Sequence, residues 1–249
     1  MSNRYTFNRI SVVALSFGLA ALAPSASADL STVVFRLEAT NSSGSGVFEV
    51  TSDQGSWNGD TYTWIGGGVD ITNESGDVIA TLVNARFTAV ADPQVGILFD
   101  VVAGATDTQF TISSGELSFP TITNATGVAS AGLTVTDAGQ DNGAVATGNG
   151  GSGNSAYQAN YNGLVPAGTM FAEFINSVVV TTPGGTNTGV GSTGGFIGIA
   201  NPVSSMSAQY SFLLSALDSA SGTSNFVIIP EPASLALLAL GAMALIRRR

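Results

Sequence analysis

Carboxylates, amides, hydroxyls and a few aromatic rings are the reactive repertoire of this 249-residue chain, which holds no histidine, no cysteine and no lysine. Without histidine there is no imidazole base and no Ser-His-Asp or Cys-His relay. Without cysteine there is no disulfide, thiol nucleophile or thiolate metal site. Without lysine, Schiff-base chemistry and a phosphate-loop lysine are excluded as well. The surviving route to catalysis is a pair of carboxylates of the kind that cleaves glycosidic bonds. The candidates are Glu38, Glu49, Glu74, Glu116 and Glu173. Spacing promotes no pair among them, so no catalytic residue is assigned and the chain reads as a non-enzyme. Glu38 falls on an outward strand position, whereas Glu173 in "TMFAEFIN" is expected to share a face with Phe171.

Two further clusters could bind without catalysing. Trp57, Tyr62 and Trp64 in "SWNGDTYTW" offer rings that could stack on a sugar, although rings of this kind more often fill a core. Tyr157 and Tyr161 in "YQANY" are the exposed-loop alternative. Oxygen ligands are the plentiful metal ligands here, and Asp137, Asp141 and Asn142 lie in one glycine-containing loop. That loop lacks the spacing and closing glutamate of a calcium-binding loop, and Asp-rich turns are usually just turns. No cofactor is therefore assigned, with calcium the one alternative kept open.

What must position these groups is a β domain. "TVVFRLEA" alternates Val33, Phe35 and Leu37 against Val34, Arg36 and Glu38, and "TYTWIG" puts Tyr62 and Trp64 on one side. "TQFTIS", "GELSF" and "AQYSFLLS" repeat the pattern, while "VGILFDVVA" and "NSVVVTT" are continuous apolar runs of central-strand type. Turn residues separate them at "QGSWNGD", "NESGD" and "TDAGQDNG". No segment between the ends has a capped helical period. The expectation is an all-β antiparallel sandwich over 29–229, with a jelly roll as one topology the spacing allows. The glycine-rich stretches 137–163 and 182–198 are expected to be surface loops.

Charge divides the chain into three. Five of the seven arginines sit at the ends, leaving Arg36 and Arg86 against sixteen acids between 29 and 229, a net −14. Such a body repels nucleic acid and anionic lipid. The first segment, 1–28, has Arg4 and Arg9 before an apolar run from Ile10 to Ala23. Pro24 and the small residues Ala26-Ser27-Ala28 follow, the pattern of a signal peptide cut by signal peptidase before Asp29.

The last segment, 230–249, reads "PEPASLALLALGAMALIRRR". Pro230 and Pro232 bracket Glu231 and are expected to end any strand and leave the backbone extended and accessible. Ala233 to Ile246 is apolar apart from Ser234 and suits a short helix of about 21 Å. A bilayer core is roughly 30 Å thick, so such a helix is a transient anchor better than a permanent one. Arg247, Arg248 and Arg249 stop transfer, because an arginine at the bilayer centre costs about 2.5–3.5 kcal/mol.

Proline-bracketed glutamate with Ala233-Ser234, apolar run and terminal arginines, in that order, resemble the PEP-CTERM sorting signal of exopolysaccharide-producing Gram-negative bacteria. The resemblance covers about twenty residues of 249. It implies an exosortase as processing partner, an inner-membrane-tethered intermediate and delivery to the cell surface or extracellular matrix. The role expected for the body is structural or adhesive, with exopolysaccharide as a possible contact. A carbohydrate-binding module and a carboxylate-dependent polysaccharide hydrolase or lyase are the second and third readings.

Overall fold

Patterning of period two becomes strand almost wherever the sequence carries it. The computed structural model describes residues 28–140 and 143–231. Its first strands are β1 (Asp29–Leu30), β2 (Val33–Asn41), β3 (Gly44–Thr51), β4 (Ser56–Asn58), β5 (Thr61–Gly66), β6 (Val69–Thr72) and β7 (Val78–Val90). Then come β8 (Gln94–Ala103), β9 (Thr108–Ser114), β10 (Leu117–Ile122), β11 (Ala125–Thr136), β12 (Val145–Gly148) and β13 (Tyr157–Tyr161). The order closes with β14 (Thr169–Phe174), β15 (Ser177–Val179), β16 (Thr186–Ser192), β17 (Ile197–Ile199), β18 (Val203–Leu214) and β19 (Ser219–Pro230). One 3-10 turn, Ser52–Gln54, is the sole helical element among the described residues.

Every pairing is antiparallel, and the strands form two sheets. In sheet I the order β3-β2-β9-β18 is continued along the far edge of β18 by β12 and β13, which carry β15 and β14. The short β1 and β10 extend β2 and β9 end to end. Sheet II runs β16-β11-β19-β8-β7-β5-β4, with β17 beside β11 and β6 beside β7. Signal-type residues before Ala28, Asp141 and Asn142, and the tail from Pro232 onward, including the helix expected over Ala233–Ile246, lie outside the described residues. Among the described residues no helix is long and apolar enough to cross a membrane.

The two sheets close on one apolar core. Phe99 of β8 meets Tyr210 of β18 edge-on at 4.9 Å and stacks on Phe212 at 5.9 Å, which joins the sheets at their centre. Phe171 stacks on Phe226 at 5.0 Å toward one side. On the other, Phe35 packs Trp64 at 5.2 Å and Tyr62 packs Phe87 at 6.0 Å. Each such ring, fully buried, contributes roughly 1.5–3 kcal/mol of transfer free energy.

The sequence reading fails at four places, each for a local reason. A register shift between Val33 and Phe35 turns Val34 inward beside Phe35, both fully buried, although strict alternation sets Val34 outward. In β7 a register shift between Leu82 and Asn84 leaves Val83 and Asn84 both exposed, and the alternation restarts at Ala85. Larger is the correction at 137–163. Its end is not an exposed loop: "YQANY" is β13, paired on both sides and buried throughout, Tyr157 and Tyr161 included. Likewise the glycine-rich 182–198 supplies β16, paired with β11 over residues 186–192. Glycine is required there because a Cβ on Gly191 would lie 2.5 Å from Cβ of Phe174.

Two core tyrosines make a matched test. The Tyr210 hydroxyl donates to the Thr223 carbonyl at 2.6 Å, with the Gly132 carbonyl also near at 3.1 Å. The Tyr157 hydroxyl is buried and makes no hydrogen bond of good geometry among the described residues, although the Ser224 hydroxyl lies close enough to offset a little of the pKa rise that burial imposes. Tyr210→Phe is therefore expected to cost about 1 kcal/mol or more, whereas Tyr157→Phe costs nothing or stabilises the fold. Urea unfolding of both variants checks this, and equal losses would contradict it.

Candidate functional site

The C-terminal sorting segment leaves the fold from a central strand, not from a loose end. β19 lies between β11 and β8 for most of its length. Its pairing with β8 stops at Val227, after which the Ile228 amide donates to the Pro93 carbonyl at 2.9 Å. Pairing with β11 continues to Pro230 opposite Ala125, and the Glu231 amide donates to the Asn124 carbonyl at 2.8 Å. Pro230 is thus the last residue of a strand, where the sequence suggests that the strand should already have stopped. The reason is strand alternation. Residues 229 and 231 turn their amides toward β11, so the N–H that Pro230 lacks would face the side that β8 has already left. No ladder bond is lost, and Pro230 and Glu231 are both exposed.

A protein-family model for the PEP-CTERM protein-sorting motif matches residues 229–249. The chain carries a PEP-CTERM sorting motif. That motif implies exosortase as processing partner, export, and a membrane-anchored intermediate before release. The PEP-CTERM match starts at Ile229, inside β19, so motif and folded body share residues. Among curated proteins none matches the chain. Solved structures give a similarity to infectious bursal disease virus, Gx strain, at 13% identity and TM-score 0.26 over 86% of this chain and 59% of that one. The D431N mutant VP2 protein of infectious bursal disease virus, in derived T=1 particles, follows at 12% identity and TM-score 0.09, over 85% and 66%. The chain thus spans less than two thirds of either structure's length.

Other residues singled out by type are dispersed by the fold. Tyr62 and Trp64 point inward and are 0% and 7% exposed, so they are core rings and no platform for a sugar. Their period-two spacing, the feature that made them a cluster, is what buries both. Trp57 is the exposed member, set edge-on to Tyr62 at 5.6 Å on the outermost strand β4. At the N-terminal boundary Ala28 is buried and Asp29 opens β1.

Asp137 is 1% exposed, and its Oδ2 accepts the Gly143 amide at 3.0 Å and the Gly184 amide at 3.1 Å. It clasps one glycine-rich connection to the other. Asp141 and Asn142 lie outside the described residues. Among the described residues no group of three or more acidic side chains could hold a metal ion.

The glutamates are spread over the molecule. Glu38 and Glu49 converge on Arg36, at 3.1 Å and 3.0 Å, on the outer face of sheet I. Glu173 accepts the Gly153 amide at 3.3 Å and stands opposite Gln158. It does not share a face with Phe171, because a bulge at that point turns Phe171 into the core against Phe226. Glu74 sits in the "NESGD" turn, where Asn73 Oδ1 accepts the amides of Ser75 and Asp77. Burial raises the carboxyl of Asp100, on the outer face of sheet II, above the ordinary aspartate range.

Sequence reasoning missed the row to which Arg36 belongs. Glu49, Arg36, Ser113, Gln209, Gln158 and Glu173 are successive cross-strand partners over six strands of sheet I. Each comes from a different strand. Register, which single-strand patterning does not reveal, is what aligns them.

Proposed function

We propose that this is a structural or adhesive protein of the bacterial exterior, delivered through its PEP-CTERM tail to the cell surface or the extracellular matrix. Supporting this reading is the continuity of the sorting motif with the central strand of a large, acidic, disulfide-free β body. Such a body stays soluble through net charge, and its folding needs no oxidant. The body has no enzymatic role in this reading, and Pro230, Glu231 and Pro232 serve as processing signal. Signal peptidase would act at Ala26–Asp29 and exosortase at the tail, while the charge argument leaves nucleic acid out.

Immunodetection across cytoplasmic, periplasmic, membrane, surface and matrix fractions of the host tests the location, and cell aggregation in a gene-deletion strain tests the role. Antigen in the surface or matrix fraction and weakened aggregates are the expected results. Antigen confined to the periplasm, with aggregation unchanged, would overturn the proposal. The carbohydrate-binding reading is favoured by the polar row on sheet I. Binding to a polysaccharide array, measured with and without calcium, tests that reading and the calcium alternative together. Chain shortening of a bound polysaccharide would instead favour the hydrolase or lyase reading.

A further inference from the structure

A groove of about 270 Å³ crosses the outer face of sheet I, on the sheet that does not carry the sorting strand. Its floor is one half of the polar row: Glu49 opposite Arg36, Arg36 opposite Ser113, Ser113 opposite Gln209. Neighbouring strands lie about 4.8 Å apart, so these groups stand in line at that repeat. They are fixed by one another. Arg36 Nε donates to Glu49 Oε1 at 3.0 Å, Arg36 also pairs with Glu38, and Gln209 Nε2 donates to Ser113 Oγ at 2.9 Å.

One wall is apolar and consists of Leu164 and Val165, in the connection between β13 and β14. It is built on buried supports. The Ser207 hydroxyl donates to the Gly163 carbonyl at 2.9 Å, and Asn160 Nδ2 donates to the Gly168 carbonyl at 3.2 Å. Ser207 and Asn160 are 1% and 2% exposed. Asn162 adds a clamp on the next connection, donating to the Pro202 carbonyl at 2.9 Å and accepting the Ser204 amide at 2.9 Å. Leu164, 44% exposed, is therefore presented to solvent on a fixed scaffold.

We propose that this groove binds one neutral pyranose ring, as a free sugar or as a unit of a polysaccharide. A pyranose carries hydroxyls that donate and accept in one belt, and apolar C–H groups on its faces. Carboxylate, guanidinium, hydroxyl and amide in one line serve the belt, and the Leu164–Val165 wall covers a face. Charge selects against anionic ligands. Arg36 is flanked by two carboxylates, so the site is net −1, within a body already strongly negative. Phosphates and uronates are repelled there. With aliphatic in place of aromatic side chains on the wall, a single ring binds weakly, and many copies facing one polymer gain by avidity.

This deepens the adhesive reading by giving it a ligand class, and sugar binding is measured independently of location or aggregation, so the two can fail separately. The test uses the full-length chain in a detergent without a sugar headgroup. Saturation-transfer NMR is run with glucose, galactose and mannose, and with glucuronate and ethanolamine as charged contrasts. At least one neutral hexose is expected to bind in the millimolar range, ahead of both contrasts. Glu49→Gln removes a charged acceptor and is expected to weaken that binding about tenfold. Leu164→Ala weakens it several-fold, and both variants melt like the parent because both sites are partly exposed.

Retardation of the chain by dextran or galactomannan in native gels, lost in both variants, assigns the sugar to a polymer. Binding of free hexose without retardation assigns it to small sugars. Absence of neutral-hexose binding, preference for glucuronate or ethanolamine, or parent-like binding by both variants overturns the proposal.

Discussion

Changing Pro230, Glu231 and Pro232 together to alanine traps the protein as a membrane-bound precursor that keeps Arg247–Arg249, and release falls to background. The prolines hold the peptide extended at the point where the sheet ends. Alanine removes that constraint and raises the helix propensity of the three positions, and a helical backbone is unsuited to a protease cleft. The fold should not suffer, because Pro230 and Glu231 are exposed and the Ile228 and Glu231 amide bonds survive the change. Intact-mass measurement on released and membrane fractions checks this. Since the Glu231 amide is tied to Asn124, the wild-type mature terminus is expected at Glu231 or beyond it, not within β19. An unchanged mature mass in the triple variant would remove the motif from any part in processing.

The sequence carried most of the architecture because its alternation is strong and its turns are chemically explicit. Thr61–Gly66 has the boundaries that its pattern indicates. Two kinds of feature were hidden. Bulges at Val33–Phe35, at Val83 and at Phe171 each flip a side chain, and nothing in composition announces an inserted residue. Two strands were hidden as well. β13 read as a loop because Tyr157 and Tyr161 are separated by Gln158 and Asn160 and follow a glycine-rich stretch, and β16 because Thr, Asn, Gly and Ser give no apolar signal, yet its glycines are what let β16 approach Phe174 and Val178 closely.

The candidate sites divide along the same line. A sorting motif is linear, so it could be read from residues 229–249 alone. The polar row from Glu49 to Glu173 is a product of register across strands distant in sequence, and no single segment contains two adjacent members of it. Conversely, Tyr62 and Trp64 formed an apparent site because they are close in sequence, and the same spacing buried them. For an antiparallel sheet, neighbours along the chain at i and i+2 are evidence of a shared face, and which face depends on the partner strand.

A second large effect is expected at alkaline pH, where the protein should unfold cooperatively as pH rises above about 10, the ordinary tyrosine value. Burial raises the hydroxyl pKa of Tyr157 and of Tyr210 well above that value in the folded state. For Tyr210 the neighbouring Tyr157 adds to the shift. In this window the unfolded chain has released both protons and the folded chain retains them, so the stabilisation present below pH 10 is lost as pH rises. Each tyrosine contributes about 1.4 kcal/mol of loss per pH unit, and the pair about twice that. A domain near the lower end of ordinary stability, about 5 kcal/mol, is exhausted by such a slope within about two pH units. Phenolate absorbance and far-UV circular dichroism, followed together, should report one transition. Tyr157→Phe should make the slope shallower by about 1.4 kcal/mol per pH unit, because it deletes one proton that folding retains. Early, non-cooperative ionisation of all five tyrosines with the fold intact would contradict the burial of these two hydroxyls and, with it, the closed core that joins the sheets.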